Sequence, residues 1–206
     1  MKKTFLIIAL LIVVHHGISA QFVIGPKVGL NVSKEYFGKK IIDEDVDFRT
    51  GLNAGVFGKY EINKIFDIQV ELLYSQQGYK DNVDIIDYGG GVISEGYKIL
   101  SHYLNVPVLL KYYPVKRFYI EAGPQVGFCL NSKLSGENKE IDNELNSLKL
   151  DYNTVDFSLA GGIGVHVGYG LTANVRYSHG FTKTLSDSDW KNRVIQFSLA
   201  YDLWSF

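Results

Sequence analysis

Lys27, Lys59, Glu71, Lys111, Glu121, Arg176 and Asp202 each stand on the polar side of a stretch in which apolar and polar residues alternate, a few residues from a short connection. Charges placed at matching positions and turned to a common interior can do two things: relay protons or ions, or pair with one another and lock the interior. Pairing is the stronger expectation, because an uncompensated buried charge costs several kcal/mol.

Nucleophilic chemistry has weaker candidates. Ser101-His102 and Ser178-His179 bring a hydroxyl beside an imidazole, the type of pair that lipid-modifying enzymes use. Neighbours along a strand point to opposite faces, so neither pair can act as a local dyad. Cys129 is the sole cysteine, which excludes an intramolecular disulfide and leaves a small wall residue. Clustered carboxylates in Asp43-Glu44-Asp45-Val46-Asp47 could attract a cation, yet the run lacks the Gly and terminal Glu of a dedicated calcium loop. Gly89-Gly90-Gly91 has no following P-loop lysine, so it cradles no phosphate. No cofactor motif is present. The formal net charge of −1 lacks the basic excess of a nucleic-acid partner.

The elements that carry these residues follow a period of two. Phe22 to Val32 sets Phe22, Ile24, Val28, Leu30 and Val32 against Lys27, Gly29 and Asn31; Thr50 to Ile62, Phe66 to Tyr79, Ile99 to Tyr113, Phe118 to Leu130, Thr154 to Val167, Leu171 to Phe181 and Arg193 to Leu203 repeat the pattern. Tight turns fall at Asn63 to Ile65, Pro114 to Arg117 and Gly168 to Gly170. Long polar loops fall at 33–49, 80–98, 131–153 and 182–192. Short connections on one side and long ones on the other are the signature of an up-and-down barrel crossing an outer membrane.

The N-terminus fits that destination. Lys2 and Lys3 precede an apolar core from Phe5 to Val14, too short to span a bilayer, and then Gly17-Ile18-Ser19-Ala20. The division expected is a cleavable signal peptide over 1–20 and one barrel domain over 21–206. A soluble barrel also alternates, so the apolar face must be assigned to lipid or to a core. Aromatics decide it: Phe22, Tyr60, Phe66, Tyr112, Phe118 and Tyr201 tip the apolar face on the short-turn side, and Tyr74, Phe128, Tyr177 and Phe181 on the long-loop side, as two interfacial girdles. Phe206 falls out of phase with Tyr201 and Leu203, which predicts a bulge or fraying at the end of the last strand.

Two motifs add a resemblance. Val106-Pro107-Val108-Leu109-Leu110-Lys111-Tyr112 fits a strand of the form (I/V)-P-x-L-x-K-Y, and Tyr119 to Pro124 follows as Y-I-E-A-G-P. With Gly25 to Asn31 and Gly51 to Phe57, these resemble the outer-membrane β-barrel domain family that includes PorT-like and "porin family" small barrels. The resemblance implies an all-β, eight-stranded antiparallel barrel without a single shared activity; one branch is tied to a protein-secretion apparatus.

The expectations are therefore a bacterial outer-membrane protein, not an enzyme, with a lumen filled by side chains and exposed loops, serving as a structural or interaction component of the envelope. A narrow pore for small solutes or ions and a lipid-A-modifying enzyme are the alternatives. Expected partners are outer-membrane lipids, the barrel-assembly machinery during biogenesis and an envelope or secretion-complex protein. Hairpin logic sets Lys59 beside Glu71, Lys111 beside Glu121 or Tyr119, and Arg176 beside Asp202, all in one layer. Pro26, Pro107 and Pro124 each remove a ladder donor, so a bulge or a skipped hydrogen bond is expected at one or more of them, foremost at Pro107 or Pro124.

Overall fold

Three two-residue turns set the register of the barrel. Asn63 Oδ1 accepts hydrogen bonds from the backbone N–H groups of Ile65 and Phe66, both at 2.9 Å, an Asx turn that reverses the chain over Lys64-Ile65. Lys116-Arg117 closes the second hairpin. In the third, Tyr169 and Gly170 both take positive φ, 51° and 78°, the sense that matches strand twist in a tight hairpin.

The computed structural model describes residues 22–37, 46–86, 92–136, 153–183 and 190–206. The strands are β1 (Phe22–Phe37), β2 (Val46–Asn63), β3 (Phe66–Ile86), β4 (Val92–Val115), β5 (Phe118–Gly136), β6 (Val155–Gly168), β7 (Leu171–Gly180), β8 (Trp190–Tyr201) and the short β9 (Trp204–Ser205). From β1 to β8 each strand pairs antiparallel with its sequence neighbour, β1 also pairs with β8 so that the sheet closes on itself, and the short β9 pairs with β1. β9 is the tail of β8 across a bulge. The wall is thus an eight-stranded up-and-down barrel, with no free edge around its girth.

Its burial is the reverse of a water-soluble protein's. Asn31, Glu71 and Arg176 are at most 1 % exposed, whereas Val28, Leu30 and Leu52 on the other face are 55–57 % exposed. A polar interior inside an apolar exterior is stable only where the surroundings are hydrocarbon.

The prolines are accommodated in two ways. Around Pro107 the β3–β4 ladder breaks between Val70↔Val108 and Leu73↔Asn105, and the β4–β5 ladder breaks between Pro107↔Gln125 and Leu110↔Ala122, opposite Pro124; the register is the same on both sides of each gap. These are the expected skipped bonds. Pro26 sits at a true bulge. Ile24 faces the last strand, accepting from Leu203 N–H at 3.0 Å, and Pro26, two residues on, faces it too but has nothing to donate. The register slips there by one residue, from Lys27↔Ala200 to Ile24↔Trp204. The slip lets both Trp204 and Phe206 turn outward, which accounts for the phase break read in the sequence. It also drives the Tyr201 carbonyl against Gly25, where a Cβ would lie 1.8 Å from the oxygen, so only glycine fits.

All four predicted loops are shorter than expected: β1 runs to Phe37, β2 begins at Val46 and β8 begins at Trp190, and the largest corrections fall on 80–98 and 131–153. The segment 80–98 is mostly strand, because β3 and β4 run on for 21 and 24 residues and pair out to Ile86↔Val92; β5 continues beside β4 to Gly136. About 9–11 residues suffice to cross a membrane, so this three-stranded blade stands well clear of it. Beyond lumen and lipid nothing imposes alternation, which is why pattern reading stopped at Tyr79. The signal segment, most of the acidic run Asp43 to Asp47 and the Gly89 to Gly91 triplet lie outside the described residues. The blade marks the outer side: an epitope inserted at Ser135 is expected to bind antibody on intact cells, and tags at Asn63 or Gly168 only after permeabilisation. Labelling of Asn63 on intact cells would invert the topology.

Candidate functional site

Arg176 stands on β7, where the alternation Thr172, Asn174, Arg176, Ser178 turns every second side chain inward. Its guanidinium reaches across the lumen rather than along the wall. Nη1 and Nη2 donate to the two carboxylate oxygens of Glu71 at 2.7 and 2.8 Å, and Nε donates to Glu121 Oε1 at 2.7 Å. One planar fork therefore ties β7 to β3 and β5, a geometry that the point charge of a lysine cannot supply. Lys27 Nζ donates to the same Glu71 at 3.0 Å, Gln69 Nε2 donates to it as well, and Asn174 Nδ2 donates to Glu121 Oε1 at 2.9 Å. Lys111 Nζ lies 3.8 Å from Glu121 Oε2 and 4.1 Å from the centre of the Tyr119 ring, so both partners expected for it are engaged. Three cations and two carboxylates thus fill one storey of the lumen.

Two expected pairs do not form. Lys59 lies opposite Gln69 as the hairpin predicts, but its ammonium points to the short-turn end, 3.3 Å from Glu61 and 3.5 Å from Asp202, and not to Glu71. Arg176 does not meet Asp202. Its partner on β8 is Gln196, and Asp202 lies six residues further, about 20 Å along the strand. The charges consequently form two storeys instead of one. The lower one is the less dry, since the Glu61 and Asp202 side chains remain 36 % and 29 % exposed while those of Glu71 and Glu121 are at 0 %.

Mostly neutral side chains fill the remaining lumen, together with the buried acids Asp67 and Asp156; alternation places Asn31, Asn53 and Ser75 on this face but does not give their contacts. On the long-loop side, Asn53 Nδ2 donates to Asn31 Oδ1 and Asn31 Nδ2 to Ser75 Oγ, both at 2.8 Å, with Gln77 donating to the same hydroxyl at 3.0 Å. Phe57, Leu73 and Leu109 are buried inside the barrel at 3 % exposure or less. In the sequence Leu73 and Leu109 hide beside outward Leu72 and Leu110, because two adjacent leucines carry no parity. Tyr113 stacks on His166 with ring centroids 5.8 Å apart near the short turns.

The candidate nucleophiles are separated by the wall. Ser101 and Ser178 are buried on the lumen face; Ser101 shares a 2.8 Å hydrogen bond with Ser132. His102 and His179 lie outside, hydrogen-bonded through Nδ1 to the hydroxyls of Tyr74 and Tyr177. The ten aromatics expected as girdles all stand on the outward face: Phe22 pairs with Tyr60 and Phe66 with Tyr112 on the short-turn side, Tyr74 and Phe128 flank Leu104 on the other, Tyr177 pairs with Ile195, and Phe118, Phe181 and Tyr201 complete the set.

No curated protein matches the sequence. Among solved structures the barrel is similar to Neisserial surface protein A, at 8 % identity over 87 % of this chain and 97 % of that one, with a TM-score of 0.55. It is also similar to OprG from Pseudomonas aeruginosa (13 % identity, 91 % and 96 % covered, TM-score 0.43) and to Ail, the attachment invasion locus protein of Yersinia pestis (11 % identity, 91 % and 99 % covered, TM-score 0.44, in complex with the heparin analogue sucrose octasulfate). The first likeness establishes a shared small-barrel fold and nothing finer. The family model for the outer membrane protein beta-barrel domain matches residues 14–186. With its lipid-facing exterior and polar lumen, the chain is a bacterial outer-membrane protein and belongs to the outer membrane protein beta-barrel domain family.

Proposed function

We propose that this protein is a plugged barrel, a structural and interaction component of the envelope whose lumen conducts nothing and whose working surface is the projecting blade of β3, β4 and β5. The observation that carries this is the Arg176 cluster: one side chain bridges carboxylates from two other strands across the lumen, and Leu73 and Leu109 are packed inside the same barrel. An eight-stranded barrel has room for little beyond side chains. The wall between each serine and its histidine supports a non-enzymatic reading, and the blade offers paired strands to an envelope or secretion-complex partner. In this reading the N-terminal signal segment directs export and is removed, and the barrel-assembly machinery inserts the mature chain.

The test is conductance together with capture. Purified protein in planar bilayers is expected to give no sustained current, and cross-linking in intact outer membranes is expected to yield a stoichiometric protein partner that is lost when residues 80–98 are replaced by a short turn. Steady, ion-selective single-channel currents from the unmodified protein would restore the pore; turnover of lipid A would restore the enzyme.

A further inference from the structure

The turn Lys116-Arg117 joins β4 to β5 at the short-turn end of the barrel, and both of its side chains are exposed. Among the described residues neither forms an ion pair or a side-chain hydrogen bond. The acids at that end are committed elsewhere: Glu61 and Asp202 lie against Lys59, and Asp67 is buried on the lumen face. Two cations therefore stand together at the membrane margin beside the girdle residue Phe118.

The backbone at Arg117 is fixed to the outer wall. Its carbonyl accepts a 2.8 Å hydrogen bond from His166 N–H, and the residues next to these two, Phe118 and Val165, pair with each other and line a groove of about 520 Å³ on the outside of the barrel. From Phe118 the groove follows one rung across the wall, through Val165, Ala173 and Leu199 to Val28. Ala173, small between Val165 and Leu199, opens it. Phe118 is the first residue of β5, whereas Val28 stands six residues past the first residue of β1, so the tilted strands carry the groove about 15 Å from the short-turn margin toward the bilayer centre. That is the depth of one leaflet, half of a hydrocarbon layer of about 30 Å.

We propose that this face seats one anionic phospholipid of the leaflet on the short-turn side, with its phosphate on Lys116 and Arg117 and an acyl chain in the groove at Ala173. Position and depth argue together. Cations at headgroup height select a phosphate, and a groove that starts beside them and ends one leaflet deep selects a phosphate that carries hydrocarbon. Free phosphate would meet the turn and leave the groove empty; an apolar protein surface would fill the groove and leave the cations unmatched. The inference does not depend on the plugged lumen, and a conducting barrel would leave it standing.

The test is native mass spectrometry of the full-length mature protein released from detergent micelles, with phosphatidylglycerol and phosphatidylethanolamine of identical acyl chains as probes. The wild-type barrel is expected to retain one phosphatidylglycerol about tenfold more tightly than phosphatidylethanolamine, whose ammonium cancels the phosphate charge that basic residues attract. The combined Lys116→Gln and Arg117→Gln variant is expected to hold the two lipids alike, whereas Lys64→Gln, in the neighbouring turn away from the groove, is expected to keep the preference. Ala173→Leu is expected to weaken both lipids and to leave their ratio unchanged. Heat-modifiable gel migration checks that each variant is folded, and the comparison of the two lipids on the wild type needs no variant at all. Equal retention of the two lipids, a preference that survives in the folded double variant, an equal loss with Lys64→Gln, or full retention by folded Ala173→Leu would each overturn the proposal.

Discussion

Replacing Arg176 with Met is expected to lower the unfolding free energy of the barrel by about 3–5 kcal/mol, the cost of leaving buried acids without their main partner. Glu71 would keep Lys27 at 3.0 Å, but Glu121 would keep only Asn174 and the more distant Lys111 at 3.8 Å. One Glu121 oxygen, Oε2, already lacks a hydrogen bond, so that carboxylate has the least in reserve. The check is a urea titration in lipid vesicles, read by gel migration. A control separates the cost of an orphaned charge from lost packing: a chain carrying Arg176→Met, Lys27→Met, Lys111→Met, Glu71→Gln and Glu121→Gln together should recover most of the stability, because exchanging a whole buried ion cluster for neutral groups is often close to neutral. Lys59→Ala is expected to cost about 1 kcal/mol or less, since its partners are partly wet. An Arg176→Met midpoint equal to the wild type's would mean that the cluster contributes nothing to holding the barrel.

Which residues face inward was legible in the sequence, and which partners they choose was not. Period two specifies a face, so Lys27, Glu71, Lys111, Glu121 and Arg176 could all be assigned to the lumen from alternation alone. Hairpin geometry then specifies neighbours within one turn, and Lys111 beside Glu121 follows from the Lys116-Arg117 turn that joins β4 to β5. Arg176 is different. Its carboxylates come from β3 and β5, more than fifty residues away in sequence, and the contact exists only because closure brings opposite walls within a side chain's length. Nothing local encodes that closure. The misplacement of Asp202 has a related origin, since the register that sets Gln196 opposite Arg176 is fixed between β7 and β8, which are joined by a long connection and not by a tight turn that would dictate it. The blade was missed for the opposite reason: outside lipid and lumen the sequence is free to lose its alternation while the backbone remains paired.

Arginine placed at Val108 is expected to cost about 2–4 kcal/mol in the same titration, declining along β4 to about 0–1 kcal/mol at Tyr112, as the substituted position moves from the centre of the apolar band to its edge. Val108, Leu110 and Tyr112 suit this series because all three face outward and are similarly exposed, at 43 %, 49 % and 42 %, so exposure alone predicts equal effects. Only a surrounding that changes with depth predicts a gradient. Val108 pairs with Val70 and Tyr112 with Phe66, which places the two ends of the series at the middle and at the aromatic margin of the exterior. Arginine at Ser135, on the projecting end of β5, is expected to change stability by no more than about 0.5 kcal/mol, the usual range for a surface position. Asn174→Arg is expected to fail for a separate reason, since the new cation would crowd Arg176 and displace a donor from Glu121. A flat response along Val108, Leu110 and Tyr112 would fit a barrel bathed in water, and it would break the link from the inverted burial pattern to a lipid-facing wall.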